Sequence, residues 1–145
     1  MSSISAYKMV AALDHIAIAV PDLGKAVNRF IEDFGLKLER IEEVESAQTT
    51  TAFYPMPTTN IELVSPPLRG GGPIAKYLER RPGGIHHICF RTDNIAEDVE
   101  RLKAKGYQFL SDAPYSGAHG CMVIFIHPKS CDGVLIELSQ LSAAH

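Results

Sequence analysis

The sequence predicts an α+β fold made of two tandem β-α-β-β-β modules whose curved mixed sheets line a cup. Three observations carry this. Leu13-Asp14-His15-Ile16-Ala17-Ile18-Ala19-Val20-Pro21-Asp22 is echoed by Ile85-His86-His87-Ile88-Cys89-Phe90-Arg91-Thr92-Asp93-Asn94, which places His15 and His87 in equivalent positions. Ile61-Glu62-Leu63 is echoed by Ile136-Glu137-Leu138 at a similar offset. Each β-branched run is followed by a helix-start residue, an apolar stripe at helical spacing, and several short strand-like runs.

Taken in order, the first strand ends at Pro21, and Asp22 is the N-cap of a helix. Leu23, Ala26, Val27, Phe30, Ile31 and Phe34 give that helix its inward face until Gly35 stops it. Strands are expected at about 36–45, 49–56 and 59–65. Pro66 to Pro73, with three consecutive glycines, reads as a linker, and Ile74 to Arg80 suits a short helix with Pro73 at its first position. In the second module, Asp93 or Asn94 caps a helix that turns Ile95, Val99 and Leu102 inward and ends at Gly106. Strands then follow at about 107–112, 121–127 and 133–139. A single small sheet with one helix leaves an apolar face open, so the modules are expected to form one domain over 1–145. Module one covers about 13–66, the linker and short helix about 67–83, and module two about 84–140.

The composition excludes several classes. The 145 residues are 46% hydrophobic and 21% charged, with a mean hydropathy of +0.00, which is neither a disordered chain nor a membrane protein. Chains of this length bury roughly two-thirds of their unfolded surface. A metal is therefore not needed for folding, and one found here needs a functional reason. A net charge of -3 without a Lys/Arg cluster argues against nucleic acid. Cys89, Cys121 and Cys131 lack C-x-x-C spacing and read as reduced thiols, which points to the cytoplasm. Met1 to Ala12 has no signal-peptide pattern, and no apolar run is long enough to span a bilayer.

Strand side chains alternate between faces. His15, Ala17 and Ala19 therefore share one side while Ile16, Ile18 and Val20 go to the helix side, and His87 and Cys89 oppose Ile88 and Phe90. Glu62 and Glu137, each between two aliphatic residues, also point away from the helices. Two imidazoles and two carboxylates converging from matching strands repel unless a cation lies between them. An N2O2 set of this kind suits a divalent metal, with Co2+, Ni2+, Mn2+, Mg2+ and Zn2+ all compatible. His15, Glu62, His87 and Glu137 are thus the candidate ligands.

Other residues read more plainly. His86 should face away from His87 and is expected to be packed or hydrogen-bonded. His127 precedes Pro128 in a turn and is expected to be structural, and Cys89 to be a small buried thiol. Thr49, Thr50 and Thr51 suit an exposed strand edge. His119, in Ser116-Gly117-Ala118-His119-Gly120, suits either a substrate-covering segment or a solvent loop.

These residues resemble the vicinal oxygen chelate superfamily, and within it the methylmalonyl-CoA epimerases. The resemblance runs through Leu13 to Asp22, Pro73 to Leu78, Gly84 to Ile88, Ser116 to Gly120 and His127 to Leu138, so it covers about residues 13–140. It implies a metal-dependent epimerase that interconverts the 2R and 2S forms of methylmalonyl-CoA, or a close acyl-CoA. The α-proton would leave through a metal-stabilised enediolate, with Co2+ favoured and a homodimer expected. Inversion requires a base on each side of the α-carbon. Glu137 is the first candidate. Some epimerases carry a second glutamate at the position that appears to match Ala52, so Glu62 becomes a ligand and candidate second base, as in glyoxalase I. Gln48 and His119 are candidate substrate contacts. Two alternatives stand beside this reading: a glyoxalase I-like isomerase of a glutathione hemithioacetal, and a non-catalytic binding module of the same fold.

Overall fold

The computed structural model describes residues 10–142; residues 1–9, part of the stretch read for a targeting signal, lie outside the described residues. The elements follow the two-module order. The first half contains β1 (Ala12–Ala19), α1 (Leu23–Glu32), β2 (Arg40–Val44), β3 (Thr49–Tyr54), β4 (Asn60–Ser65) and α2 (Gly72–Arg80). After these come β5 (Gly84–Arg91), α3 (Ile95–Ala104), β6 (Tyr115–Ser116), β7 (Met122–Ile126) and β8 (Ile136–Gln140). The chain is mixed α+β, as expected. It divides into two compact units, residues 14–89 and residues 90 onward together with the segment before 14. The boundary falls inside β5, and α2 belongs to the first unit.

In the first unit the strand order is β2-β3-β4-β1-β5. β1 runs parallel to β4 with Ala17 opposite Glu62, and β3 is antiparallel to both β2 and β4. Helix α1 starts where expected because the Asp22 carboxylate accepts the Lys25 N–H at 3.0 Å. Its inward face packs Ala26 and Val27 on Val20, Ala52, Tyr54 and Leu63, with Ile18, Phe30 and Ile31 around them. Tyr54 donates from its hydroxyl to Val27 O at 3.0 Å, so this core contains no stray phenol. The helix ends at Glu32, earlier than the apolar stripe suggests. Phe34 is 62% exposed and meets the Phe30 ring edge to face at a centroid distance of 5.2 Å.

The opposite face of this sheet has its own cover. Ala17, Ala19 and Val64 pack against Ile74 of α2, with Tyr77 and Leu78 beside them. Small residues on β1 thus admit a helix at one end and leave His15 at the other. Gly72, with a positive φ of +85°, opens that helix. A Cβ there would sit 3.0 Å from Gln48 O, so the close approach of the β2–β3 connection requires glycine.

The second unit pairs β6, β7 and β8 antiparallel in the order β8-β7-β6. The last residues of β5 continue into it, and Thr92 N–H donates to Ser139 O at 2.8 Å. Asn94, not Asp93, caps α3: its Oδ1 accepts Glu97 N–H and its Nδ2 donates to the Glu97 carboxylate, both at 3.1 Å. Ile95 and Val99 pack on Ile124, Ile126 and Leu138. The strand expected at 107–112 is absent and only an isolated bridge joins Phe109 to Ile126. Ser111 turns the chain by donating to Ala113 O, and Pro114 has no N–H to extend a ladder. The two-residue β6 pairs with β7 instead.

Replacing Asp22 by alanine is expected to lower stability by about 1 kcal/mol, the usual loss for an N-cap. Thermal unfolding followed by circular dichroism should show Tm falling by roughly 2–4 °C for a chain of this size. An unchanged Tm would mean that the cap is replaced by solvent at no loss.

Candidate metal centre and substrate face

The period of two along each strand delivers the two histidines to one place in the first unit. His15 and His87 are 7% and 9% exposed, and their Nε2 atoms lie 3.3 Å apart. The rings meet edge to face, with centroids 5.4 Å apart and planes at 77°. Two ring nitrogens at this distance either share one proton or aim two lone pairs at one cation. Glu62 lies on the same face of the sheet, opposite Phe53 of β3 and Ala17 of β1, while Ile61 and Leu63 belong to the helix-side core. Its Oε2 approaches Nδ1 of His15 at 3.3 Å, the ring nitrogen opposite the one that meets His87. Asp14, His15 and Cys89 also bring one donor atom each within 4.8 Å of one another. A borderline divalent ion fits these nitrogen, carboxylate and thiol donors, of which His15, His87 and Cys89 are buried.

In the second unit Glu137 is buried at 8% exposure, between Ile136 and Leu138, which pack toward α3. It is directly opposite Phe125 in the β7–β8 register. Tyr115 of β6 shares its neighbourhood: burial first, then the negative charge of Glu137, pushes the phenol above its usual range. Tyr115 therefore stays a neutral O–H donor near that carboxylate. Nothing in the sequence pattern singled it out, because the signal is the pairing of β6 with β7 and not any local spacing.

The remaining candidates separate. Ala52 is on the helix side, packed with Val27, Tyr54 and Leu63. The β3 residue that shares the face of Glu62 and Phe53 is Thr51, whose Oγ1 lies 2.8 Å from Thr49 Oγ1. Ala52, which the resemblance sets at the place of a second glutamate, thus turns to the helix side, and Thr51 is its neighbour on the face of Glu62. No carboxylate stands at either position. The three threonines are buried rather than on an exposed edge, because β3 is flanked by β2 and β4.

Gln48 is exposed, with a left-handed φ of 56°, at the start of α2. His119 is also exposed and left-handed, at φ 60°. A left-handed backbone in a residue other than glycine costs about 1–2 kcal/mol and is held by its surroundings. Nearby, Gly117 packs tightly on Val123, where an added Cβ would collide with Cγ1 at 2.9 Å. His127 is structural as expected, its Nδ1 accepting Lys129 N–H at 3.0 Å. Cys89 is fully buried. His86 departs from the expectation that it faces away, since its Nδ1 lies 2.9 Å from Nδ1 of His87.

A sequence profile described as the glyoxalase/bleomycin resistance protein/dioxygenase superfamily matches residues 14–125. The chain belongs to that superfamily. Among its relatives is an ethylmalonyl-CoA/methylmalonyl-CoA epimerase of Cereibacter sphaeroides, 42% identical over 135 residues, which are 92% of this chain and 100% of the relative. The structure of methylmalonyl-CoA epimerase from Mycobacterium tuberculosis superposes with a TM-score of 0.87 at 30% identity, covering 97% of this chain and 94% of that one. A methylmalonyl-CoA epimerase in complex with methylmalonyl-CoA and NH4+ superposes at 0.86 with 29% identity, covering 94% and 98%. No helix among the described residues is long and apolar enough to cross a membrane.

Proposed function

We propose that this protein is an isomerase that epimerises methylmalonyl-CoA, or a close branched acyl-CoA, with one divalent metal ion per chain. The observation that carries the reading is the full-length likeness to the Cereibacter epimerase. The buried Nε2 pair of His15 and His87 supports the metal. His15, Glu62, His87 and Glu137 are its ligands, and Co2+ is the favoured ion. When bound, the cation supplies positive charge beside the thioester and carboxylate oxygens, where electron density accumulates as the α-proton leaves.

The chain's own groups do the proton work. One carboxylate takes the α-proton, the C–H electron pair moves toward the thioester oxygen, and a second carboxylate returns a proton to the opposite face. Glu137 and Glu62 are the two bases. Each lies on the face of its strand turned away from the aliphatic core, so neither needs a backbone change to face substrate. Gln48 and His119, at the surface, are proposed to contact the acyl-CoA. The working form is a homodimer, a reading supported by the edge strand β2, where Ile41 is 50% exposed. Three free thiols suit a reducing compartment, and we place the protein in the cytoplasm.

Deuterium wash-in from heavy water into methylmalonyl-CoA, set beside lactoylglutathione formation from the hemithioacetal, tests the reaction. Exchange with the CoA ester alone is expected, and activity with the hemithioacetal alone would replace the epimerase reading by a glyoxalase one. Dialysis against a chelator tests the metal. At a metal concentration 100 times Kd, binding adds about 2.7 kcal/mol, so Tm of the chelated protein should be roughly 5–10 °C lower. Equal Tm values with and without metal would favour a cup that binds small molecules without catalysis.

A further inference from the structure

The two histidines are preceded by residues that should point to the other side of their strands, yet both contact the histidine that follows. Asp14 Oδ2 lies 2.8 Å from Nδ1 of His15, and Nδ1 of His86 lies 2.9 Å from Nδ1 of His87. Asp14 and His86 occupy equivalent places in the repeat. In both cases the contact is to Nδ1, and in both cases Nε2 is the atom turned toward the other histidine.

A neutral imidazole carries one N–H, and the nitrogen that carries it is lost as a metal ligand. An acceptor at Nδ1 holds the proton there and leaves the Nε2 lone pair outward. Asp14 accepts as a carboxylate. His86 accepts through its own Nδ1 when its proton is on Nε2. The His86 ring is held in turn by the edge of Tyr77, at a centroid distance of 5.2 Å, and Tyr77 is anchored by donating to Ile85 O at 3.2 Å. The Arg81 guanidinium lies 5.4 Å from the other participant in this stack, the Tyr77 ring. Glu62 also reaches Nδ1 of His15, but at 3.3 Å against 2.8 Å for Asp14.

We infer that Asp14 and His86 are positioning residues that set the Nδ1–H tautomer of His15 and His87, so that both Nε2 atoms face one metal ion. The inference rests on the metal reading above.

The test uses 15N-labelled full-length protein. In the metal-free wild type, histidine ring spectra should show Nδ1–H on both His15 and His87. Asp14→Ala and His86→Ala should each move the proton of the following histidine to Nε2 and weaken Co2+ binding by about 10–100-fold in calorimetric titration. Asp14→Asn and His86→Gln keep a side-chain acceptor for Nδ1–H, and should hold the tautomer and stay within about 10-fold of wild-type affinity. These milder variants keep the test valid if an alanine variant fails to fold. A wild-type His15 or His87 with no proton on Nδ1 overturns the inference. So does an alanine variant whose tautomer and Co2+ affinity both match the wild type. A wild type that binds no Co2+ overturns the metal reading itself, and the two failures are distinguished because the tautomers are read without metal.

Discussion

His87→Ala is expected to abolish stoichiometric divalent-metal binding and to lower α-proton exchange by at least about 10²-fold, the usual effect of removing one preorganised electrostatic partner. The variant leaves His15 without the nitrogen 3.3 Å from its Nε2, so one remaining imidazole must hold the ion from this sheet. Metal content of the purified variant and deuterium wash-in are the two measurements. Thermal unfolding of the metal-free forms separates a folding defect from a binding defect: metal-free His87→Ala should stay within a few degrees of metal-free wild type, whereas added Co2+ should raise only the wild type. Full metal content together with wild-type exchange would sink the proposed site.

Glu137→Gln and Glu62→Gln carry the second large effect, and their value lies in the comparison. If each carboxylate serves one face of the α-carbon, each variant should lose epimerisation by about 10²–10⁴-fold, the range for a general base. Each should still wash deuterium into one epimer, and the surviving epimer should differ between the two. NMR on separately prepared 2R and 2S substrate reads this directly. Loss of exchange from both epimers in Glu137→Gln, with none lost in Glu62→Gln, would leave Glu137 as the single base and Glu62 as a ligand. Glutamine preserves shape, so packing against Ile136 and Leu138 in one strand and Ile61 and Leu63 in the other is retained.

Much of this was readable in the chain because the signals are local. The repeat aligns His15 with His87 and Glu62 with Glu137 without any knowledge of tertiary contacts. Alternation along a strand then assigns faces, and the core clusters hold Ile61, Leu63, Ile136 and Leu138 on the helix sides as that alternation requires. Caps are equally local, since Asp22 and Asn94 accept N–H groups three residues ahead.

The misreadings fall where a neighbour distant in sequence decides. Thr49 to Thr51 look like an exposed edge until β2 and β4 are laid on either side of them. Ala52 packs on the helix side, and pairing of Phe53 with Glu62 places Thr51 on the face of that carboxylate. A one-residue slip exchanges the two sides of a strand. The segment 107–112 has strand composition but no continuous partner, and Phe34 has helical spacing but lies beyond the last helical turn.

By itself, the amino-acid sequence determined the modular β-α-β-β-β plan, the ligand-type residues and the strand faces that carry them, because these depend on periodicities of two and 3.6 within one element. Only the tertiary structure decided which ring nitrogens meet, which residues orient them, and that Asp14 and His86 reach around their own strands to do so. The Nε2 contact joins two strands and the Nδ1 contacts depend on side-chain geometry within one, and a pattern of alternating faces is blind to both.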